Sequence, residues 1–169
     1  MKKVFCLLLA LCMLLPLFAM AEDTVKIGQV EYAAHGTKCF AVLTVAMQGD
    51  KIVAAYIDEF QFMDAATAQG VPNSSEGFGE SYPEGKVLAS KKVNAAMYSE
   101  NMAKAGSTVS LDVNYAAIEE YVTGMTIAEL EAAIEGKTAE EMVDAVSGCT
   151  LADTLGYLTG LLEAAKSVK

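Results

Sequence analysis

The residues best equipped for chemistry lie together near the C-terminus, in Asp144-Ala145-Val146-Ser147-Gly148-Cys149-Thr150-Leu151. Two hydroxyls, a thiol and a carboxylate surround one glycine, directly ahead of a long amphipathic segment. Small and hydroxyl residues before a helix make an anion site, because the first-turn N–H groups are unpaired and the dipole favours negative charge. Gly148 lets the backbone approach a ligand closely. Ser147 and Thr150 add hydroxyls within a residue or two of that helix start. The chemistry this implies is capture of a phosphate, such as that of a nucleotide-like cofactor. The chain has no arginine, so backbone amides and hydroxyls would hold the phosphate in place of a guanidinium clamp. A second reading competes. Thr150-Leu151-Ala152-Asp153 fits the T-x-x-D/E capping pattern, in which Thr150 only caps the last helix. On spacing alone the cap is the simpler reading.

Other constellations are missing. His35 is the only histidine, which excludes a histidine-rich metal site and makes a Ser-His-Asp triad depend on one turn residue. A lone histidine in a turn reads as a solvated surface residue. There is no CxxC, no G-x-G-x-x-G after a strand and no P-loop. Most carboxylates fall on expected exposed helix faces, and no catalytic or metal-ligating residue is assigned.

Elements that must position the stretch begin after an export signal. Lys2 and Lys3 precede the apolar run Val4–Phe18, and Ala19-Met20-Ala21 is an A-x-A cleavage site. Residues 1–21 are therefore read as a secretory signal, cleaved near Ala21, and 22–169 as one exported domain. Leu9-Ala10-Leu11-Cys12 is a poor lipobox, because Leu11 is not small. The whole chain is 53% hydrophobic and carries −10. Losing Lys2 and Lys3 leaves ten lysines against 22 acids, or −12. That excludes nucleic acid, which needs clustered cations, and a polybasic membrane anchor. Of the four cysteines, Cys39 and Cys149 survive cleavage. In an oxidising compartment they can pair; the plainer reading makes each a small buried hydrophobe.

Within the domain, Thr24–Ala34, Lys38–Met47 and Lys51–Phe62 read as strands, separated by His35-Gly36-Thr37 and Gln48-Gly49-Asp50. This spacing predicts an antiparallel meander of hairpins. Lys38–Met47 is apolar almost throughout, which predicts that both its faces are covered. Asp64–Lys86 gathers glycine, proline, asparagine and serine in one long loop, whose Phe78 and Tyr82 are candidates to line a ligand site. Helices are expected over Asn94–Ala105, Asp112–Val122, from the capping box at Thr126 to Gly136, after the second box at Thr138, and over Leu151–Val168. The last segment spaces Leu151, Leu155, Leu158, Leu161, Leu162 and Ala165 as one apolar stripe. Strands followed by helices predict an α+β fold: antiparallel β hairpins packed with helices, ending in a long C-terminal amphipathic helix.

The stretch DAVSGCT resembles the D-x-x-S-G-A-T motif of the FMN-binding domain family, found in flavin-bearing subunits of bacterial redox complexes and in exported flavoproteins. The resemblance implies that a flavin transferase attaches FMN through its phosphate to Thr150. It places Asp144, Ser147, Gly148, Cys149 and Leu151 around the cofactor. The segments Val87–Gly106 and Tyr121–Leu130 are similar to parts of cell-surface members. The chain departs from the motif at Cys149, where the family has alanine; a thiol is little larger than a methyl, but pairing with Cys39 would lock the loop. The implied function is an extracytoplasmic electron carrier, more a redox carrier than an enzyme, serving redox partner proteins of the cell envelope. The alternative from the residues alone is a flavin-free cell-surface or secreted binding module. An exported hydrolase finds no supporting residues.

Overall fold

Residues opposite each other across adjacent strands decide this sheet. The computed structural model describes residues 24–169 apart from 37, 75 and 76, so the expected signal at 1–21 lies outside the described residues. Four strands, β1 (Lys26–Tyr32), β2 (Cys39–Gln48), β3 (Lys51–Asp64) and β4 (Lys86–Ser90), form one sheet in chain order. Every pairing is antiparallel, which is the expected meander. Leu43 faces Val30 on one side and Ile57 on the other. Alternate residues of β2, Ala41, Leu43, Val45 and Met47, are buried.

The other face of β2 differs from expectation. Val42, Thr44 and Ala46 are only half-buried and Phe40 is exposed, stacked on Phe60 at 5.7 Å. An unbroken apolar run normally marks a strand covered on both faces; here the helices pack on one face alone. The fourth strand was also not expected. Its five residues follow the turn-rich loop directly, and so short a run shows no period of its own.

Five helices follow: α1 (Ala95–Lys104), α2 (Leu111–Val122), α3 (Ile127–Ile134), α4 (Ala139–Ala145) and α5 (Thr154–Lys166). The fold is therefore α+β. Both expected capping boxes form: Thr126 with Glu129 opens α3, and Thr138 with Glu141 opens α4. In each, the threonine oxygen takes an otherwise unpaired N–H while the glutamate returns the bond to the cap backbone. Helix α5 packs on β1 and β2, and α2 packs on β3. Leu158, Leu161, Ala164 and Ala165 of α5 are buried against the sheet, each leucine being worth about 1.5–3 kcal/mol.

The approach of α5 is close enough to require glycine. A Cβ on Gly28 of β1 would sit 2.0 Å from the Ala164 carbonyl oxygen, and one on Gly156 2.3 Å from that of Ala34. Helix α5 begins later than its apolar stripe implies. Leu151 and Leu155 are half-buried, but the helix starts at Thr154 with Asp153 at the cap position. The Leu151 carbonyl accepts from the Thr154 N–H at 3.1 Å and its hydroxyl at 2.6 Å, closing a turn ahead of the helix.

Candidate functional site

The chemistry-bearing stretch becomes the end of α4 and the loop from it to α5. Asp144 lies exposed in the last turn of α4. Ser147 and Gly148 form an exposed turn, and Gly148 takes φ +84°, a conformation other residues adopt only under strain. The chain then dives inward. The Cys149 N–H donates to the Val146 carbonyl at 3.1 Å, and the buried thiol lies 3.1 Å from the Thr154 hydroxyl. Both Cys39 and Cys149 are free thiols, so no disulfide locks this loop. The thiol of Cys39 is pushed up to about 11, first by burial and then by the nearby Glu59 carboxylate, against the opposing pull of Lys91.

Thr150 emerges exposed at the end of this turn. Its N–H donates to Asn114 Oδ1 at 2.6 Å and its hydroxyl lies 3.4 Å from the same oxygen. Asn114 of α2 is completely buried and donates through Nδ2 to the carbonyls of Val109 at 3.2 Å and Ser110 at 2.8 Å. It is therefore a bracket between two loops. Sequence reasoning missed it, although a polar residue on the stripe formed by Leu111, Tyr115, Ile118 and Val122 was the signal. Thr150 does not cap the last helix, contrary to the simpler expectation. Residues 151–153 separate it from α5, so the helix N-terminus is not directly beneath the Ser147–Thr150 hydroxyls as their spacing suggested.

Thr150 stands on the lip between two concavities. One, of about 420 Å³, is lined by Glu140, Val143, Asp144, Thr150 and Ala152. The other, of about 220 Å³, is lined by His35, Lys91, Tyr98, Leu111, Leu151 and Tyr157 among others, with Thr150 again at its edge. His35 is not merely solvated: its Nδ1 pairs with the Asp153 carboxylate.

Beneath the smaller cavity lies a buried ion pair. The Lys91 ammonium bonds Glu59 Oε2, with residue exposures of 1% and 0%. The hydroxyl of Tyr157 donates to the same oxygen at 2.9 Å, and that of Tyr115 lies 3.5 Å away. The two tyrosine rings meet edge to face with centroids 5.4 Å apart. Glu59 Oε1 is buried and, among the described residues, has no hydrogen-bond partner. Lys91 Nζ also lies 4.8 Å from the Tyr98 ring centroid, within cation–π range. Burial alone would lower the Lys91 pKa, but the bond and charge of Glu59 outweigh it and hold it above the ordinary lysine value. Burial raises both tyrosines above the ordinary phenol range, with further contributions from Glu59. This pair was not anticipated. Its signal was Glu59 two residues after Ile57, on the strand's inward alternation.

The long Asp64–Lys86 loop is not brought to Thr150. Its Val71 and Pro72 line a hollow with Asp58 and Phe60, on the sheet face opposite the helices. Among the described residues, no group of three or more His, Cys, Asp or Glu is placed to hold a metal ion, and no helix is long and apolar enough to cross a membrane. Comparisons with protein-family models, curated proteins and solved structures find no match to this chain.

Proposed function

We propose that the protein is an exported FMN carrier, with the flavin phosphate joined to Thr150, that passes electrons between partner proteins of the cell envelope. The observation that carries this reading is the position of Thr150: an exposed residue on a lip between two concavities, its backbone pinned by the buried Asn114. A modifying enzyme needs a reachable hydroxyl, and a carrier needs that attachment point held rigidly. The motif's departure at Cys149 is compatible with this. The thiol turns into the core toward Thr154 and takes no space beside the Thr150 hydroxyl.

A bound flavin would supply reversible electron transfer. The chain's own residues would do the rest. Asn114 fixes the attachment point, and Gly148 permits the tight turn that presents it. The buried Lys91 and the aromatic wall of the smaller cavity give one side of Thr150 an environment suited to a planar, electron-accepting ring. The strongly acidic exterior selects docking partners by electrostatic complementarity.

A second reading has one observation in its favour. The Thr150 hydroxyl lies 3.4 Å from Asn114 Oδ1, as it would in a flavin-free binding module where Thr150 only braces its loop. Intact mass separates the two. The test uses protein from its native envelope, or made together with a flavin transferase. The transferase breaks the diphosphate bond of a flavin dinucleotide, releases its other nucleotide, and replaces the hydroxyl proton with the flavin phosphoryl group, so the product gains one FMN less one water. Thr150→Ala should abolish the gain while remaining folded. Unmodified wild-type protein that is colourless and does not bind added FMN would sink the proposal.

A further inference from the structure

The two concavities flanking Thr150 offer unlike surroundings to anything attached there. The larger is lined by Glu140 and Asp144, two carboxylates that repel an anionic ligand. The smaller has Lys91 in its wall, with Tyr98 and Tyr157 beside it, and its carboxylate, Asp153, is paired with His35 of the same wall. Lys91 is 1% exposed, and Glu59, its counter-ion, does not line the cavity. An ion pair seated this way presents its positive member to the cavity and keeps the negative one behind it. Such an oriented pair acts as a fixed dipole, stronger in the low-dielectric interior than in water. Buried charges of this kind cost stability unless paired, and they concentrate where a function uses the field.

We propose that the cavity between α1, α2 and the 150–153 segment seats a planar redox ring, and that Lys91 stabilises the negative charge the ring gains on reduction. This rests on the reading of Thr150 as the flavin attachment point. A reduced donor protein delivering two electrons, with one proton from solvent, adds one negative charge to the ring. A cation at the wall favours that charged form and raises the midpoint potential. Glu59 acts at one remove, holding the ammonium in place and opposing its field. The cavity of about 220 Å³ falls short of the roughly 300–1,000 Å³ of pockets that enclose a ligand. One edge of the ring is thus left to solvent, where a partner docks.

The experiment uses the full protein loaded with FMN by a flavin transferase, checked by intact mass, with potentials measured by spectroelectrochemistry. Glu59→Gln removes the opposing charge and leaves an amide oxygen to accept from Lys91, so in weakly acidic buffer, where the buried lysine keeps its proton without its counter-ion, its potential should rise. Lys91→Met/Glu59→Gln loses the cation without stranding a buried carboxylate, so its potential should fall. We expect about a tenfold change in the oxidised-to-reduced ratio for each, or about 30 mV for a two-electron couple. A residue that only supports the fold would not move the potential in opposite directions in the two variants. Loaded variants whose potentials match the wild type, or shift in the same direction, overturn the role of Lys91 and leave the attachment intact. Failure of the wild type to load overturns the attachment, and this inference with it.

Discussion

Lys91→Met is the most informative single perturbation of the core. It removes the ammonium and leaves the Glu59 carboxylate completely buried, with Oε1 already lacking a partner among the described residues. Breaking a buried ion pair by deleting one member costs about 3–5 kcal/mol, because the stranded charge has no water to return to. The Tyr157 and Tyr115 hydroxyls still face Oε2 at 2.9 and 3.5 Å, which favours the lower end, about 3 kcal/mol. Removing both charges in Lys91→Met/Glu59→Met strands nothing. Its cost is the acceptor lost by the two tyrosines, at about 1 kcal/mol per hydrogen bond. Their hydroxyls, 3.4 Å apart, can recover part of that by bonding each other. The double variant should therefore be more stable than the single by about 2 kcal/mol, an inversion that additive effects cannot produce. Urea denaturation at pH 7, with equal slopes confirming that the same surface unfolds, measures the difference. The single variant should also melt roughly 10 °C below wild type for a domain of this length. A single variant as stable as the double would refute the claim that Glu59 is a buried anion dependent on Lys91.

Two further outcomes follow from the same structure. Cys39, Lys91, Tyr115 and Tyr157 all have raised folded-state pKa values, so each holds its proton more tightly folded than unfolded. Their stabilisation is complete below pH 9 and declines as pH rises, starting at 9.0 with Cys39, whose interval runs to about 11, and joined from 10.0 by the two tyrosines and from 10.5 by Lys91; a urea midpoint unchanged between pH 8 and 11 would contradict this. Gly28→Ala places a Cβ 2.0 Å from the Ala164 carbonyl oxygen, so α5 must lift from β1 at a cost of at least about 1–3 kcal/mol; a thermal midpoint within a degree of wild type would show that α5 does not lie so close.

Local signals proved sufficient wherever one segment carried its own instructions. The two capping boxes formed as spaced, because each is completed within four residues. The hairpins formed because alternating apolar residues and short turns specify antiparallel neighbours. Where the outcome depended on distant partners, the reading failed. The apolar run of β2 does not reveal that helices cover only one of its faces. The T-x-x-D spacing at Thr150 matches a cap, yet Thr154 bonds back to Leu151 and delays the helix.

The candidate site divides along the same line. Its motif, Asp144 through Thr150, is contiguous in the chain, and type and spacing were enough to single it out. Its surroundings are assembled from β3, the residues following β4, α1, α2 and α5. Asn114 reaches Thr150 across 36 residues, and Tyr157 reaches Glu59 across 98. The sequence by itself determined the order of the first three strands and of the helices, both capping boxes and the position of the candidate loop, all set by interactions between near neighbours. Only the tertiary structure decided which polar side chains lose their water. Burial is a property of the assembled layers, and it is what turned Glu59, Lys91 and Asn114 from ordinary polar residues into the ion pair and the bracket beside Thr150.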